Sequence, residues 1–478
     1  MNRNPIYRLY TDQPAAAWAA TLLAVALGMR LVTDFNGLYG QDSYAYTAQA
    51  EALQEWMRTG TTPPPFFWPE GYPLTGAALG MLLGLPAALQ WTSLLGGAAT
   101  VYFTIRIGRQ LYPQLPWLGP FLFLIVGLSP YGLRSSLLVM SDSWAGAALT
   151  AGGWWSLRYA QNGKIGPLIG AGLALGVAVT TRYALALPTL LPLGMILRAA
   201  VRKRDLRSLL FPLLFLFLLF LHQSIHTGMG GGLAEHHFLR DWSLANGFQR
   251  DFAMADGEFH YPRWNLFEAL SAFWHPGLSG LGVLALPLMA RKKIRLPDRT
   301  AGAMLATTLV YLLFIAGIPF QNPRFLLPVL PLVGLLYAVQ LARAVENSPP
   351  KIIASLGLGV AVIHLGLGAF ALRHNIKLNR TEREIAAAVC TQDPPKVYTF
   401  ALDGALRTYC PGISLENLWN EGPPTAQDGE WILFNAPAFA EQWRGKSVMR
   451  NWEFLNRNFH LQVRQQLPAG WTLYEIAP

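Results

Sequence analysis

The sequence predicts a polytopic α-helical membrane protein of about 11 helices with a soluble α/β domain at its C-terminal end. Three observations lead there. Of 478 residues, 52% are hydrophobic and only 13% are charged, whereas soluble domains carry about 25% charged residues. The apolar residues fall in long runs, and about 20 of them make a helix that crosses a bilayer. The Lys and Arg residues behind a formal charge of +10 gather in short breaks between the runs, as in "RAAVRKRDLR" (198–207) and "RKKIRLPDR" (291–299). Such clusters also suit nucleic acid, but between apolar runs they read as cytoplasmic loops under the positive-inside rule. Membrane lipids are therefore expected partners and nucleic acid is not.

The amino terminus is basic and then apolar, with no small-residue cleavage site before Asp34, so it reads as an uncleaved first helix with its basic end inside. Eleven stretches follow as candidate spans: 15–33, 77–105, 117–131, 142–158, 165–181, 183–198, 208–226, 278–290, 301–318, 324–343 and 352–371. With the amino terminus inside, the loops 106–116, 158–164, 198–207, 291–300 and 344–351 are cytoplasmic. Four of these five hold clustered Lys or Arg, and the fifth holds Lys351.

The remaining polar material falls outside, in loops 34–76, 131–141, 227–277 and 319–323 and in the tail from 372. The expected organisation is a membrane domain, 1–371, with outer loops 34–76 and 227–277, and a soluble domain, 372–478. In the tail, "KVYTFAL" (396–402), "EWILFNA" (430–436) and "WTLYEIA" (471–477) read as strands by their β-branched and aromatic content, and 438–459 has helical spacing. Cys390 and Cys410, the chain's two cysteines, both fall on the outer, oxidising side. There they are either a disulfide or two buried thiols.

The outer face collects the residues that carry chemistry. Asp42, in "YGQDSYAY", follows the first span, and Asp142, in "SDSW", begins the fourth. A carboxylate at membrane depth costs a few kcal/mol and is usually paired or functional. Each acid also has a plain structural use as a helix N-cap. Arg182 interrupts an apolar stretch and Arg324 begins the tenth span. Arginine there either snorkels to headgroups or binds phosphate through its planar fork. Two acids and two arginines from four helix ends on one face predict a site for an anionic, lipid-linked substrate.

Other candidates are weaker. The stiff, aromatic "TTPPPFFWPEGYP" carries Glu70 and Tyr72, and Tyr44 stands beside Asp42. Trp242, Tyr261, Trp264 and Trp274 in and after the second long loop suit either stacking on sugar rings or an interfacial aromatic belt. His222 and His226 share one helical face, with Glu235, His236 and His237 soon after. They complete no metal motif of known spacing, and a polar helix end before the glycine-rich "GMGGG" explains them as well. No cofactor is expected; a divalent metal is the less favoured alternative.

Five segments resemble the GT-C glycosyltransferases, specifically the bacterial relatives of protein O-mannosyltransferases and the lipid A aminoarabinose transferase. They are "YGQDSYAYTAQAEAL" (39–53), "FFWPEGYPL" (66–74), "SDSW" (141–144), "TTRYALALP" (180–188) and "NPRFLLPVLPLVGLLYA" (322–338), in the family's order. The resemblance implies an enzyme that moves a sugar from a polyprenyl-phosphate carrier to a lipid, glycan or protein acceptor at the outer face, with inversion. It implies Asp42 as general base on the acceptor hydroxyl, or as the group that orients it. Asp142 helps to place acceptor, donor or a metal, and Arg324 and Arg182 hold the leaving lipid phosphate. It also implies a bacterial inner-membrane protein with a cytoplasmic amino terminus and a periplasmic tail. Some relatives have two adjacent acids in the first-loop motif; here Gln41 precedes Asp42, which makes the metal-using oligosaccharyltransferases a poorer match. Two other classes stay open: an O-antigen ligase or polymerase, and a non-enzymatic transporter or flippase of lipid-linked glycans.

Overall fold

Apolar runs satisfy their own backbone polar groups best as helices, and the chain is mostly helical. The structure, a computed structural model, describes residues 13–205, 208, 210–228, 237–285, 287 and 299–478. By length and composition, five helical stretches among the described residues can cross a membrane: Ala15–Thr33, Tyr183–Lys203, Arg299–Ala316, Pro323–Ala344 and Pro350–Cys390. The pair Gly71–Leu83 and Leu85–Leu111 qualifies as a sixth if its bend is taken as one span.

That bend corrects the expectation of a single span over 77–105. The chain bends by 120° between the two helices. Gly84 adopts φ +78° at the break, a conformation a side chain resists, and Pro86 opens the second helix at a position where its missing N–H is harmless. The expected span over 278–290 is a short 3₁₀ turn, Gly280–Leu284, followed by residues of which 286 and 288–290 lie outside those described. The expected basic loop 291–300 lies mostly outside them too. Asp142–Asn162 and Ile165–Thr181 are helices near their expected bounds, and Gly163 closes the first in the left-handed region.

Two compact units emerge. Of the described residues, the first holds those within 1–37, 49–248 and 264–372, and the second holds those within 38–48, 249–263 and 373–478. In the first, a core of Leu149, Leu175, Ala178, Tyr311, Ile315 and Phe325 is formed by side chains from the helices Asp142–Asn162, Ile165–Thr181 and Arg299–Ala316 and the 3₁₀ segment Pro323–Val329.

The second unit is built on a five-stranded sheet. Its strands are β3 (Val397–Thr399), β4 (Leu415–Asn417), β5 (Trp431–Phe434), β6 (His460–Gln466) and β7 (Thr472–Ala477), in the order β4-β3-β5-β7-β6. The pairs β3–β4 and β3–β5 are parallel; β5–β7 and β6–β7 are antiparallel. The three expected strands are present. β4 and β6 were not foreseen, because β4 is only half-buried and β6 is an edge strand exposed along nearly its whole length. The helix expected over 438–459 is confined to Ser447–Asn458, with a short turn, Ala436–Phe439, before it. Val448, Trp452 and Leu455 pack from that helix against Ile432 and Phe434 of the sheet. A hairpin of β1 (Asp251–Met254) and β2 (Gly257–His260) joins this unit through the Glu258 N–H, which donates to the Gln442 carbonyl at 2.8 Å. Cys390 and Cys410 are bonded as a disulfide, with Cα atoms 5.7 Å apart.

Candidate functional site

In the first unit the chain ends of three elements meet around one aromatic ring. Asp142 opens the helix Asp142–Asn162 and is 4% exposed. Its carboxylate forms an ion pair with Arg182. Ser141, not Asp142, holds the cap position, and the acid pairs with Arg182. Arg182 stands where the Ile165–Thr181 helix stops: its backbone turns extended and its N–H closes on the Ala178 carbonyl at 3.0 Å. A short 3₁₀ turn, Tyr183–Ala186, follows, and Pro188 beyond it disfavours continued α-helix.

Arg324 is positioned by "NPR". The Asn322 side chain accepts from the Arg324 backbone N–H at 3.1 Å, and Pro323 pre-sets the first turn of the 3₁₀ segment Pro323–Val329. Nη1 of Arg324 lies 3.7 Å from the sulfur of Met140, two residues before Asp142. The Phe325 ring is shared: Cζ of Arg182 is 5.4 Å and Cζ of Arg324 is 5.7 Å from its centroid. An aromatic face attracts a guanidinium, so one ring holds two cations that would otherwise repel each other. Tyr311 fixes that residue by donating to the Phe325 carbonyl at 2.6 Å. Four residues after Arg324, Pro328 borders an apolar pocket lined also by Ile107, Leu149, Met195 and Leu332.

Glu70 is 2% exposed, and Nε2 of Gln49 donates to its two oxygens at 3.1 and 3.2 Å. Gly71 presses on the turn that carries Arg182; a Cβ there would fall 2.7 Å from Thr181 Oγ1 and 2.8 Å from the Thr180 carbonyl oxygen. Tyr72 is fully buried, with its hydroxyl donating to the Leu89 carbonyl at 2.9 Å. Trp242 is stacked on Phe314 and donates its indole N–H to the Phe314 carbonyl at 2.8 Å. His222 meets the Tyr183 hydroxyl at 3.2 Å. The side chains of His226 and His237, like residues 235 and 236, lie outside the described residues.

Asp42 belongs to the second unit. It lies in the first turn of the helix Gly40–Thr59, past the cap position, and is half-buried. Tyr44, expected to line a substrate surface, is 2% exposed, and its hydroxyl donates to Oε2 of Glu382 at 2.8 Å. Glu382 also accepts from the Gly40 N–H at 2.8 Å. The helix Pro350–Cys390 that carries Glu382 has 41 residues, about 60 Å at the α-helical rise. Its apolar half ends near 371, so Glu382 stands well beyond the part that fits a hydrocarbon core of about 30 Å. Burial raises the Glu382 carboxyl to about 7, against the hydrogen bonds from Tyr44 and Gly40, which favour the charged form. Burial, and then the Glu382 charge, likewise raise the Tyr44 hydroxyl above its ordinary value. Tyr261, also in this unit, stacks on Phe259. Glu382 had no signal in the sequence: in "LNRTEREIA" it reads as one charge on a solvated helix face. Gln49 had none either, and Phe325 was legible only as part of the "NPRFLLP" run.

In structure, the chain is similar to the crystal structure of ArnT from Cupriavidus metallidurans bound to undecaprenyl phosphate. The TM-score is 0.61 at 15% identity, over 96% of this chain and 98% of that one. The apo state of the same protein gives 0.57 at 14%, with the same coverage. An oligosaccharyltransferase from Archaeoglobus fulgidus, in complex with zinc and sulfate, gives 0.54 at 9%, over 96% of this chain and 73% of that one. No protein-family model matches the sequence, and no curated protein matches it. The chain has the fold of the GT-C glycosyltransferases. The Asp142 carboxylate is engaged by Arg182, and among the described residues no three His, Cys, Asp or Glu side chains gather at metal-binding range. The groups gathered at Phe325 are two guanidinium groups and the one carboxylate that pairs with Arg182.

Proposed function

We propose that the chain is an inverting membrane glycosyltransferase that moves a sugar from a polyprenyl-phosphate carrier to an acceptor hydroxyl at the non-cytoplasmic face. The observation that carries this reading is the convergence of Arg182 and Arg324 on one ring beside Asp142. Two planar guanidinium forks at one place suit the oxygens of a phosphate. The apolar cavity beginning at Pro328 suits the hydrocarbon of a lipid that carries it. The undecaprenyl phosphate bound to the similar ArnT supports that class of donor.

In this reading Asp42 takes the proton from the acceptor hydroxyl as the new C–O bond forms at the anomeric carbon. The bond from that carbon to the phosphate oxygen breaks, and its electron pair stays on the lipid phosphate. Arg324 and Arg182 stabilise the charge that develops there. Phosphate leaves without a general acid. Asp142 keeps the Arg182 fork aimed. The disulfide of Cys390 and Cys410 supports an extracytoplasmic, periplasmic tail, and the basic breaks support a cytoplasmic amino terminus in a multi-pass inner-membrane protein.

The test incubates the purified protein with a panel of polyprenyl-phosphate sugars and measures release of the lipid phosphate. Release with one donor, lost in Arg324→Ala, supports the assignment. No release with any donor, together with lipid-linked glycan movement across vesicles, would replace it with the transporter reading.

A further inference from the structure

We propose that Glu382 is a positioning residue for Asp42: it clamps the first turn of the helix Gly40–Thr59 from both sides of that acid. The proposal rests on the reading of Asp42 as the base. The geometry is contained in the second unit. Glu382 accepts from the Gly40 N–H through one oxygen and from the Tyr44 hydroxyl through the other, each at 2.8 Å. Gly40 and Tyr44 are four residues apart, so they lie on one helical face, while Asp42 at the midpoint projects to the opposite side. The exposures agree: Ser43 and Tyr44 are 0% and 2% exposed, whereas Asp42 is half-buried. A helix start has unsatisfied N–H donors and a partial positive charge, and a carboxylate from elsewhere in the chain answers both.

The clamp is itself braced. The Tyr44 ring meets Tyr409 edge-on at 6.1 Å, and Asn379, three residues before Glu382, donates to the Tyr409 hydroxyl at 3.2 Å. A Cβ on Gly404 would fall 2.5 Å from Tyr44 Cβ, so the helix Asp403–Tyr409 presses against Tyr44. Cys410, next to Tyr409, is bonded to Cys390 at the end of the helix that carries Glu382. Two segments far from this turn in sequence, 379–390 and 403–410, thus hold it, and half-buried Asp42 stands on the side away from them.

The experiment uses the full chain in detergent or nanodiscs. Glu382→Ala is expected to lower kcat about 10- to 100-fold, as loss of aim does, with KM for the donor within about 2-fold. Hydrogen exchange over 38–48 is expected to accelerate. Glu382→Gln keeps the shape and one acceptor, and is expected to recover kcat to within about 5-fold. Tyr44→Phe removes one of the two donors and serves if Glu382→Ala does not fold, with a kcat loss of about 5-fold expected. Unchanged exchange over 38–48 in Glu382→Ala, or in Tyr44→Phe where that stands in, overturns the clamp. Normal kcat in that same variant also overturns it. Glu382→Gln as inactive as Glu382→Ala means chemistry by the carboxylate itself, which overturns it too. Full turnover in Asp42→Asn sinks the catalytic reading instead, and the exchange result distinguishes the two failures.

Discussion

Arg182 and Asp142 form an ion pair whose side chains are only 16% and 3% exposed. The pair links the end of one helix to the start of another, so each partner sets the other's direction. Removing one side of such a pair leaves an uncompensated charge and costs about 3–5 kcal/mol. Asp142→Ala is expected to lower thermal stability by that order. The double variant Asp142→Ala/Arg182→Ala is expected to recover part of it, because no lone charge remains. A double variant as unstable as the sum of the two single ones would deny the coupling.

Arg324 reaches the Phe325 ring and Met140 with a planar fork, and Lys cannot reproduce bidentate phosphate contact. A hydrogen bond to a charged group is worth about 1.5–3 kcal/mol, or roughly 10- to 100-fold in binding. Arg324→Lys is expected at the lower end of that range for the donor and Arg324→Ala at the upper end. Donor titration on folded protein checks both.

Asp42→Asn keeps the size of the side chain and removes its basicity. Loss of a positioned base costs about 10²- to 10⁴-fold, so turnover is expected to fall by that factor with expression and fold intact. Near-normal release of lipid phosphate by this variant would remove Asp42 from the chemistry.

Glu382 is raised to about 7 in the folded chain from an ordinary 4.5, through burial. The folded state therefore binds its proton more tightly than the unfolded one. This contribution is fully present below about pH 4.5 and is lost as pH rises through 7. Glu382→Gln never carries the charge. Its stability relative to the parent is expected to rise between pH 5 and pH 8, by up to about 3 kcal/mol, in paired thermal melts. A constant difference across that range would contradict the shift.

The Cys390–Cys410 bridge closes a loop with a sequence separation of 20, which in the chain-entropy account stabilises by about 3 kcal/mol. Reduction is expected to destabilise the C-terminal unit by that order and to speed hydrogen exchange in the helix Asp403–Tyr409. Unaltered exchange there after complete reduction would show that the bridge carries no stability.

Periodicity and charge density reach only local features. The apolar runs at 15–33, 142–158 and 165–181 were legible because an isolated helix in lipid must be apolar along its length. The strands at 397–399, 431–434 and 472–477 were legible because buried strands are rich in β-branched and aromatic residues. β6 was not, since an exposed edge strand has no apolar signature. The bend at Gly84 was not, since a run of apolar residues reads the same whether straight or folded back.

By itself the sequence determined a multi-pass helical protein with an α/β tail, and the four charged residues that interrupt its apolar pattern: Asp42, Asp142, Arg182 and Arg324. Charges near hydrocarbon are legible in one dimension because their cost is local. Only the tertiary structure decided that Asp142 pairs with Arg182 and that Phe325 holds both arginines. The same is true of Glu382, which stands 342 residues beyond Gly40 in sequence and accepts its N–H. Those relationships depend on which helix ends meet after packing, and side-chain pairing at such separations leaves no periodic trace in a single chain.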